Sequence, residues 1–299
     1  MLTVCIPVYN QNVERLVKEL CAQVKLLHGK VSILLIDDAS SEEFQAQYKI
    51  IRAFAKVIQL DVNIGRSKIR NAFLEYTSAE YLLFLDCDAQ IVRSDFLSKY
   101  LEFIKVNRPK VLFGASIYQK ETPPINYRLR WKYGSTIESK SFQFRISAPQ
   151  LGFKTNNFLV DRNILKSYPF NELITGYGHE DTLFGFELEQ NGISICHIDN
   201  PVLNAHLDSN SQFLNKTDEA LNNLFHIWEL SEKNGSLLER LNILKVYFKH
   251  ERNLILSITL RCLMRPLRFL LERGVSSLTL FNLYKLAYLF AFNPAQRRQ

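Results

Sequence analysis

The chain has only five cysteines, at 5, 21, 87, 196 and 262, with no CxxC pair among them. An odd number at such wide spacing makes no disulfide framework, so the thiols are read as free in a reducing compartment. No stretch reaches ~18 uncharged apolar residues, which excludes an ordinary membrane-spanning helix. The apolar run LTVCIPVY starts at residue 2, so no signal peptide is expected before it and the chain is expected in the cytoplasm. No GxGxxG follows that first run, which disfavours a dehydrogenase. Internal repeats and low-complexity segments are also lacking.

What is present is the composition of a globular protein: 299 residues, 47% hydrophobic and 22% charged. That length accommodates one large α/β domain with an appendage. The formal charge of +7 is unevenly placed. Residues 236–299 hold eleven Lys and Arg against three acids, a net +8, and the rest of the chain carries −1.

Short apolar runs without polar alternation suit strands covered on both faces, as in a parallel sheet with helical crossovers. They fall at Leu2–Val8, Val31–Ile36, Val57–Leu60, Tyr81–Leu85, Val111–Gly114, Phe158–Asp161 and Ile193–Ile198. Helical patterns lie near 12–28, 42–54, 67–77 and 95–106, another opens near Glu180, and the pattern is helical from 212 onward. Residues 116–155 read as a loop with a helical piece.

In such a sheet, ligands bind beyond the carboxyl ends of the strands. Three strands end there in polar residues: Tyr9-Asn10, Asp37-Asp38 and Asp86-Cys87-Asp88. Adjacent carboxylates are costly unless a positive group lies between or beyond them. A hard divalent cation, Mg²⁺ or Mn²⁺, answers that cost, shared with substrate phosphates. If the strand continued past Leu85, Asp86 and Asp88 would project to one side. Taken alone, D-x-D is more simply a solvated turn; the second acidic strand end, Asp37-Asp38, shifts the balance.

Further pieces carry chemistry. In NIGRSKIRN, Gly65 permits a tight turn into a helix with Arg66, Lys68 and Arg70 near its N-terminus, an end that suits an anion or is simply a basic face. In GYGHED, two glycines precede Glu180 and Asp181 at a helix start. Acids are favoured there in any protein, whereas the Gly-Tyr-Gly lead-in fits a backbone that approaches a ligand closely. His206 becomes a metal candidate if its loop returns to Asp88.

In this order, IPVYN, IDDAS, NIGRSKIRN, LDCD, GYGHED and a later His resemble the family 2 glycosyltransferases of the GT-A fold. The segment NNFLVDRNILKSYPFNELITGYGHED also looks like the catalytic segment of β-1,4-galactosyltransferases and polypeptide N-acetylgalactosaminyltransferases. The resemblance covers about residues 1–210, an expected catalytic domain with a Rossmann-like, mostly parallel sheet flanked by helices; 211–299 are expected as a basic, amphipathic helical extension. It implies a nucleotide-sugar donor, usually a UDP-sugar, a divalent metal (Mn²⁺ or Mg²⁺) and a glycan or lipid-linked glycan acceptor. By position, Pro7, Tyr9 and Asn10 would line the nucleotide pocket, Asp38 would meet the uracil and Arg70 would lie near the nucleotide. Asp86 would face the ribose or donor sugar, and Asp88 with His206 would bind the metal. Asp181 would be the catalytic base, with Glu180 hydrogen bonded to the acceptor or donor sugar. The family's lead-in is often Gly-Trp-Gly-Gly, whereas here it is Gly176-Tyr-Gly-His179, and Cys87 fills the middle of D-x-D without altering its spacing.

Two other classes compete. A silent nucleotide-sugar or glycan-binding relative would not need Asp38, Asp88 and Asp181 together. A sugar nucleotidyltransferase would usually carry a Gly-rich basic loop where Tyr9-Asn-Gln-Asn-Val-Glu14 stands. In the tail, Leu, Ile and Phe are interleaved with Arg261, Arg265, Arg268, Arg273 and Lys285. That pattern suits the surface of an anionic membrane, or a helical cap on the catalytic domain. Nucleic acid is not expected, because no recognition motif accompanies the charge.

Overall fold

The computed structural model describes residues 1–292. Ten strands occur among them: β1 (Leu2–Val8), β2 (Val31–Asp37), β3 (Lys56–Gln59), β4 (Tyr81–Leu85), β5 (Ala89–Ile91), β6 (Val111–Phe113), β7 (Ser116–Ile117), β8 (Asn157–Asp161), β9 (Ile195–His197) and β10 (Val202–Asn204). In chain order the α-helices are α1 (Glu14–Val24), α2 (Glu42–Gln45), α3 (Tyr48–Ile51), α4 (Arg66–Tyr76), α5 (Phe96–Asn107), α6 (Arg128–Tyr133) and α7 (Phe142–Ser147). They continue with α8 (Arg162–Ser167), α9 (Glu180–Gln190), α10 (Asn210–Leu230), α11 (Gly235–Arg240), α12 (Asn242–His250), α13 (Leu254–Glu272) and α14 (Leu278–Phe292).

Seven strands form one sheet in the order β3-β2-β1-β4-β8-β6-β9. All pairs are parallel except those of β8, which runs antiparallel to both β4 and β6. The unbroken apolar runs are explained by what lies on each face. Side chains alternate, so Leu2, Val4, Ile6 and Val8 of β1 join Leu83 and Leu85 of β4 in one core, with Leu16, Val17 and Leu20 of α1 and Phe96 and Leu97 of α5. Cys5, Leu82 and Phe84 join Ile69 and Phe73 of α4 and Phe184 of α9 in the other core. A second sheet, β5-β10-β7, holds short strands that the sequence pattern does not announce.

The expected helix over 42–54 is instead two single turns, α2 and α3. At the break, the Gln47 carboxamide donates to the carbonyls of Gln11 and Phe44 and accepts the Val13 amide, tying this segment to the loop after β1. The expected loop over 116–155 holds β7, α6 and α7.

Beneath the sheet edge lies a buried polar network. The Tyr100 hydroxyl donates to Asn157 Oδ1 at 2.7 Å, and Asn157 Nδ2 donates to the carbonyls of Ala115 and Asn200. Arg145 Nη1 lies 3.2 Å from His197 Nδ1. A guanidinium only donates, so Nδ1 accepts and the ring proton sits on Nε2, which donates to the Pro149 carbonyl at 3.0 Å.

The chain forms two compact units. One comprises Met1–Gln119, Glu138–Glu172 and Asp181–His206 and holds both sheets. The other comprises Lys120–Ile137, Leu173–Glu180 and the chain from Leu207, and its described residues are helical or connecting. In this second unit Phe213 of α10 stacks on Phe281 of α14 at 5.3 Å, and Tyr247 of α12 meets Phe290 at 5.0 Å. No helix among the described residues is long and apolar enough to cross a membrane.

Candidate active site

β1 lies between β2 and β4 and is parallel to both, so the carboxyl ends of the three open on one edge of the sheet. Pro7 is still in the ladder, opposite Ile36, while Tyr9 beyond it is 53% exposed. Asn10 takes a left-handed conformation (φ 47°), which Asn tolerates better than most residues. Its amide donates to Ser40 Oγ at 2.8 Å, and its Oδ1 accepts the Ser41 amide at 2.9 Å. Ser40 Oγ in turn donates to Asp37 Oδ1. Asn10 therefore fastens the loop after β1 to the loop after β2.

Asp38 is buried, and each carboxylate oxygen accepts one backbone amide, Ile64 at 2.7 Å and Gly65 at 3.0 Å. Burial raises its pKa above the usual carboxylate value, and the two amides counter that rise. The anion that meets the turn before α4 is thus the chain's own carboxylate. Gly65 holds φ 83° there, which glycine adopts without strain.

The strand does not continue through Asp86-Cys87-Asp88. β4 stops at Leu85, and the Ala89 amide donates to the Asp86 carbonyl at 3.1 Å, closing a turn. The same-side argument for the two carboxylates is therefore corrected, and the turn gives them different partners. Asp86 faces Arg70 of α4, with Nη2 to Oδ1 at 3.4 Å. Arg70 is fully buried; its Nη1 donates to the Arg66 carbonyl, and its guanidinium lies 5.5 Å from the centre of the Phe170 ring.

Asp88 faces a cavity of about 210 Å³ that it lines with Gln11, Asn12, Arg15 and His206. The register explains His206: β10 pairs antiparallel with β5 and sets Asn204 opposite Ala89, so the chain after β10 returns beside Asp88. The Asp88 carboxyl is pushed up to about 6, first by burial and next by the Asp86 charge; His206 and Arg66 act the other way. Burial and the flanking aspartates push the Cys87 thiol up to about 12, so it stays neutral. Among the described residues no group of three or more His, Cys, Asp and Glu side chains is placed to hold an ion by itself. Asp88 and His206 suit an ion that takes its remaining ligands from phosphate oxygens, the usual manner of Mg²⁺ and Mn²⁺ sites.

The GYGHED segment has a different explanation from the one its sequence suggests. Gly178 holds φ 101°, and a Cβ there would stand 2.6 Å from the Ala220 Cβ of α10. Asn223 of α10 donates to the carbonyls of Thr175, Tyr177 and Gly178. The glycine is required by a close approach to protein, not to a ligand. Glu180 is buried at the start of α9. Asp181 Oδ2 forms an ion pair with Lys154 at 3.0 Å, and its Oδ1 accepts the Thr182 hydroxyl at 3.2 Å.

Sequence reasoning missed Lys154, which stands in the loop between α7 and β8 with no local motif around it. It also missed Gln11, Asn12 and Arg15 as cavity residues, because they read as the ordinary start of α1. Arg66 was legible as part of a basic turn, though not its influence on Asp88.

The family model described as "Glycosyl transferase family 2" matches residues 3–168. No curated protein matches the chain. Among solved structures, the mannosyltransferase PcManGT from Pyrobaculum calidifontis, in complex with GDP-Man and Mn²⁺, is similar at TM-score 0.59 and 14% identity, over 97% of this chain and 85% of that one. S. aureus TarS 1–349 in complex with UDP is similar at TM-score 0.52 and 18% identity, over 100% and 92% of the two chains. Glucosyl-3-phosphoglycerate synthase from Mycobacterium tuberculosis, in complex with phosphoglyceric acid, gives TM-score 0.53 and 15% identity, over 77% and 79%. At these identities the likeness is one of fold.

Proposed function

This chain belongs to glycosyl transferase family 2, and from that premise we propose an inverting, metal-dependent transfer of a sugar from a nucleotide-sugar to a hydroxyl of a glycan or lipid-linked glycan. The fold is GT-A-like, with a mixed, mostly parallel sheet and C-terminal helices. The observation that carries the proposal is the pairing of Asp88 with His206 around one cavity at the carboxyl end of β4. A UDP-sugar is the first donor to consider, and GDP-mannose the second, since one structural relative holds GDP-Man.

In this reading, Pro7, Tyr9 and Asn10 border the nucleotide, and Asp38 takes a hydrogen bond from the uracil on a lone pair left over from the Ile64 and Gly65 amides. Arg70 holds Asp86 toward the ribose or donor sugar. Asp88 and His206 hold a divalent ion together with the diphosphate. When bound, that ion supplies Lewis-acid stabilisation of the departing diphosphate. Asp181 takes the proton of the acceptor hydroxyl as the hydroxyl oxygen attacks the anomeric carbon from the face opposite the leaving group. Its ion pair with Lys154 opens as the hydroxyl arrives. Glu180 hydrogen bonds the acceptor or donor sugar. These last two roles are carried over by position from the motif GYGHED.

The basic C-terminal helices fit an anionic membrane surface, where a lipid-linked acceptor would be met. A screen of UDP-sugars and GDP-mannose for donor hydrolysis, with Mn²⁺ and with chelator, tests the function. Hydrolysis of one donor that chelator abolishes is expected. Failure to bind or hydrolyse any of them would refute the proposal.

A further inference from the structure

α13 is apolar on two faces. Leu260, Leu267 and Leu271 are buried within the second unit. Yet Leu254, Ile255, Ile258 and Phe269 are 75%, 81%, 62% and 51% exposed. At 100° per residue these four, with Cys262, share about 100° of the helix surface. Arg265 and Arg273 are exposed in the same sector, and the Arg273 guanidinium lies 4.2 Å from the centre of the Phe269 ring. The sole acid within α13, Glu272, is paired to Arg268 at 2.9 Å. A surface helix normally turns a polar face to water; this one presents a line of large aliphatic and aromatic side chains studded with arginines.

Two other basic residues of the tail are held within the second unit. Arg268 Nη1 is bonded to Asp218 at 2.7 Å and to the Tyr284 hydroxyl at 3.0 Å. Lys285 lies over the rings of Tyr133 and Phe281, and burial pulls its ammonium down to about 8. α14, the most apolar sequence of the tail, buries Phe281, Tyr284, Leu289 and Phe290. The outward face of α13, by contrast, keeps its large apolar side chains exposed.

We propose that this face is a docking surface for an anionic lipid bilayer. It rests on, and sharpens, the membrane reading of the C-terminal helices. α13 lies flat in the headgroup region, with Leu254, Ile255, Ile258 and Phe269 entering the acyl boundary and Arg265 and Arg273 meeting lipid phosphates. A second copy of the chain fits less well. Two-fold pairing would set the face against itself, arginines against arginines, with no unengaged acid of α13 to meet them.

The test is flotation of the full chain with phosphatidylglycerol vesicles and with phosphatidylcholine vesicles. The parent should float with the anionic vesicles alone. Ile255→Ser/Ile258→Ser/Phe269→Ser should weaken binding more than tenfold. Arg265→Gln/Arg273→Gln should weaken it about twenty-five-fold, at about fivefold per arginine. All five positions are exposed, and circular dichroism verifies that the variants fold. If the parent floats and both variants float equally well, the membrane reading stands and the α13 face is overturned. If the parent does not float, both fall. A dimer in sedimentation that the triple variant abolishes, without vesicle binding, would assign the face to a second copy instead.

Discussion

Asp181→Asn keeps the shape of the side chain and removes its ability to take a proton. General-base catalysis is worth ~10²–10⁴-fold, so kcat should fall by that order while donor affinity changes little. Were Asp181 merely an acid in the first turn of α9, the same change would cost about 1 kcal/mol of stability or less and leave turnover intact. Near-parent turnover in a folded, donor-binding variant would pass the role to Glu180. At this scale the sequence was informative about residue types and uninformative about their partners. D-x-D at a strand end was legible, but the separation of its members was not. It depends on Arg70, which arrives from α4, and on His206, which arrives from β10. Lys154 against Asp181 joins two residues 27 positions apart, and nothing around either one in sequence marks the pair.

Elements were legible where their apolar run was long. β1 and β4 have the expected bounds, because strands covered on both faces are apolar nearly throughout, Thr3 of β1 being the one polar residue in the two runs. β5, β7 and β10 have two or three residues each, too few to show any period. The antiparallel entry of β8 between β4 and β6 is a matter of pairing, which its own sequence does not encode. One glycine records how tightly these elements meet. A Cβ on Gly114, just after β6, would stand 2.0 Å from the Tyr100 hydroxyl of α5 and 2.5 Å from Asn157 Nδ2 of β8. Gly114→Ala should therefore destabilise by about 1–3 kcal/mol in urea unfolding. In a Tyr100→Phe background the clash with the hydroxyl is gone, so the same change should cost less. Equal costs in the two backgrounds would rule out this packing account.

At the scale of the whole molecule, stability should depend on pH through His197. Burial is the main cause that holds its folded value down to about 4, against an ordinary value of 6.5. Between those values the unfolded chain binds the additional proton, so stability rises with pH across about 4 to 6.5 and the contribution is complete above that window. The span is worth about 3 kcal/mol as an order of magnitude. His197→Asn should flatten the pH dependence in that window relative to the parent, as read by urea midpoints; parallel curves would contradict it.

The central claim is that Asp88, with His206, joins a divalent ion to the diphosphate of a sugar nucleotide. Calorimetry of UDP binding to the parent and to Asp88→Asn, each with Mn²⁺ and with chelator, tests it most directly. The parent should bind UDP more tightly with Mn²⁺ than with chelator, and the variant, still folded, should show no such difference. An Asp88→Asn protein that retains the parent's Mn²⁺-dependent UDP affinity would contradict the account.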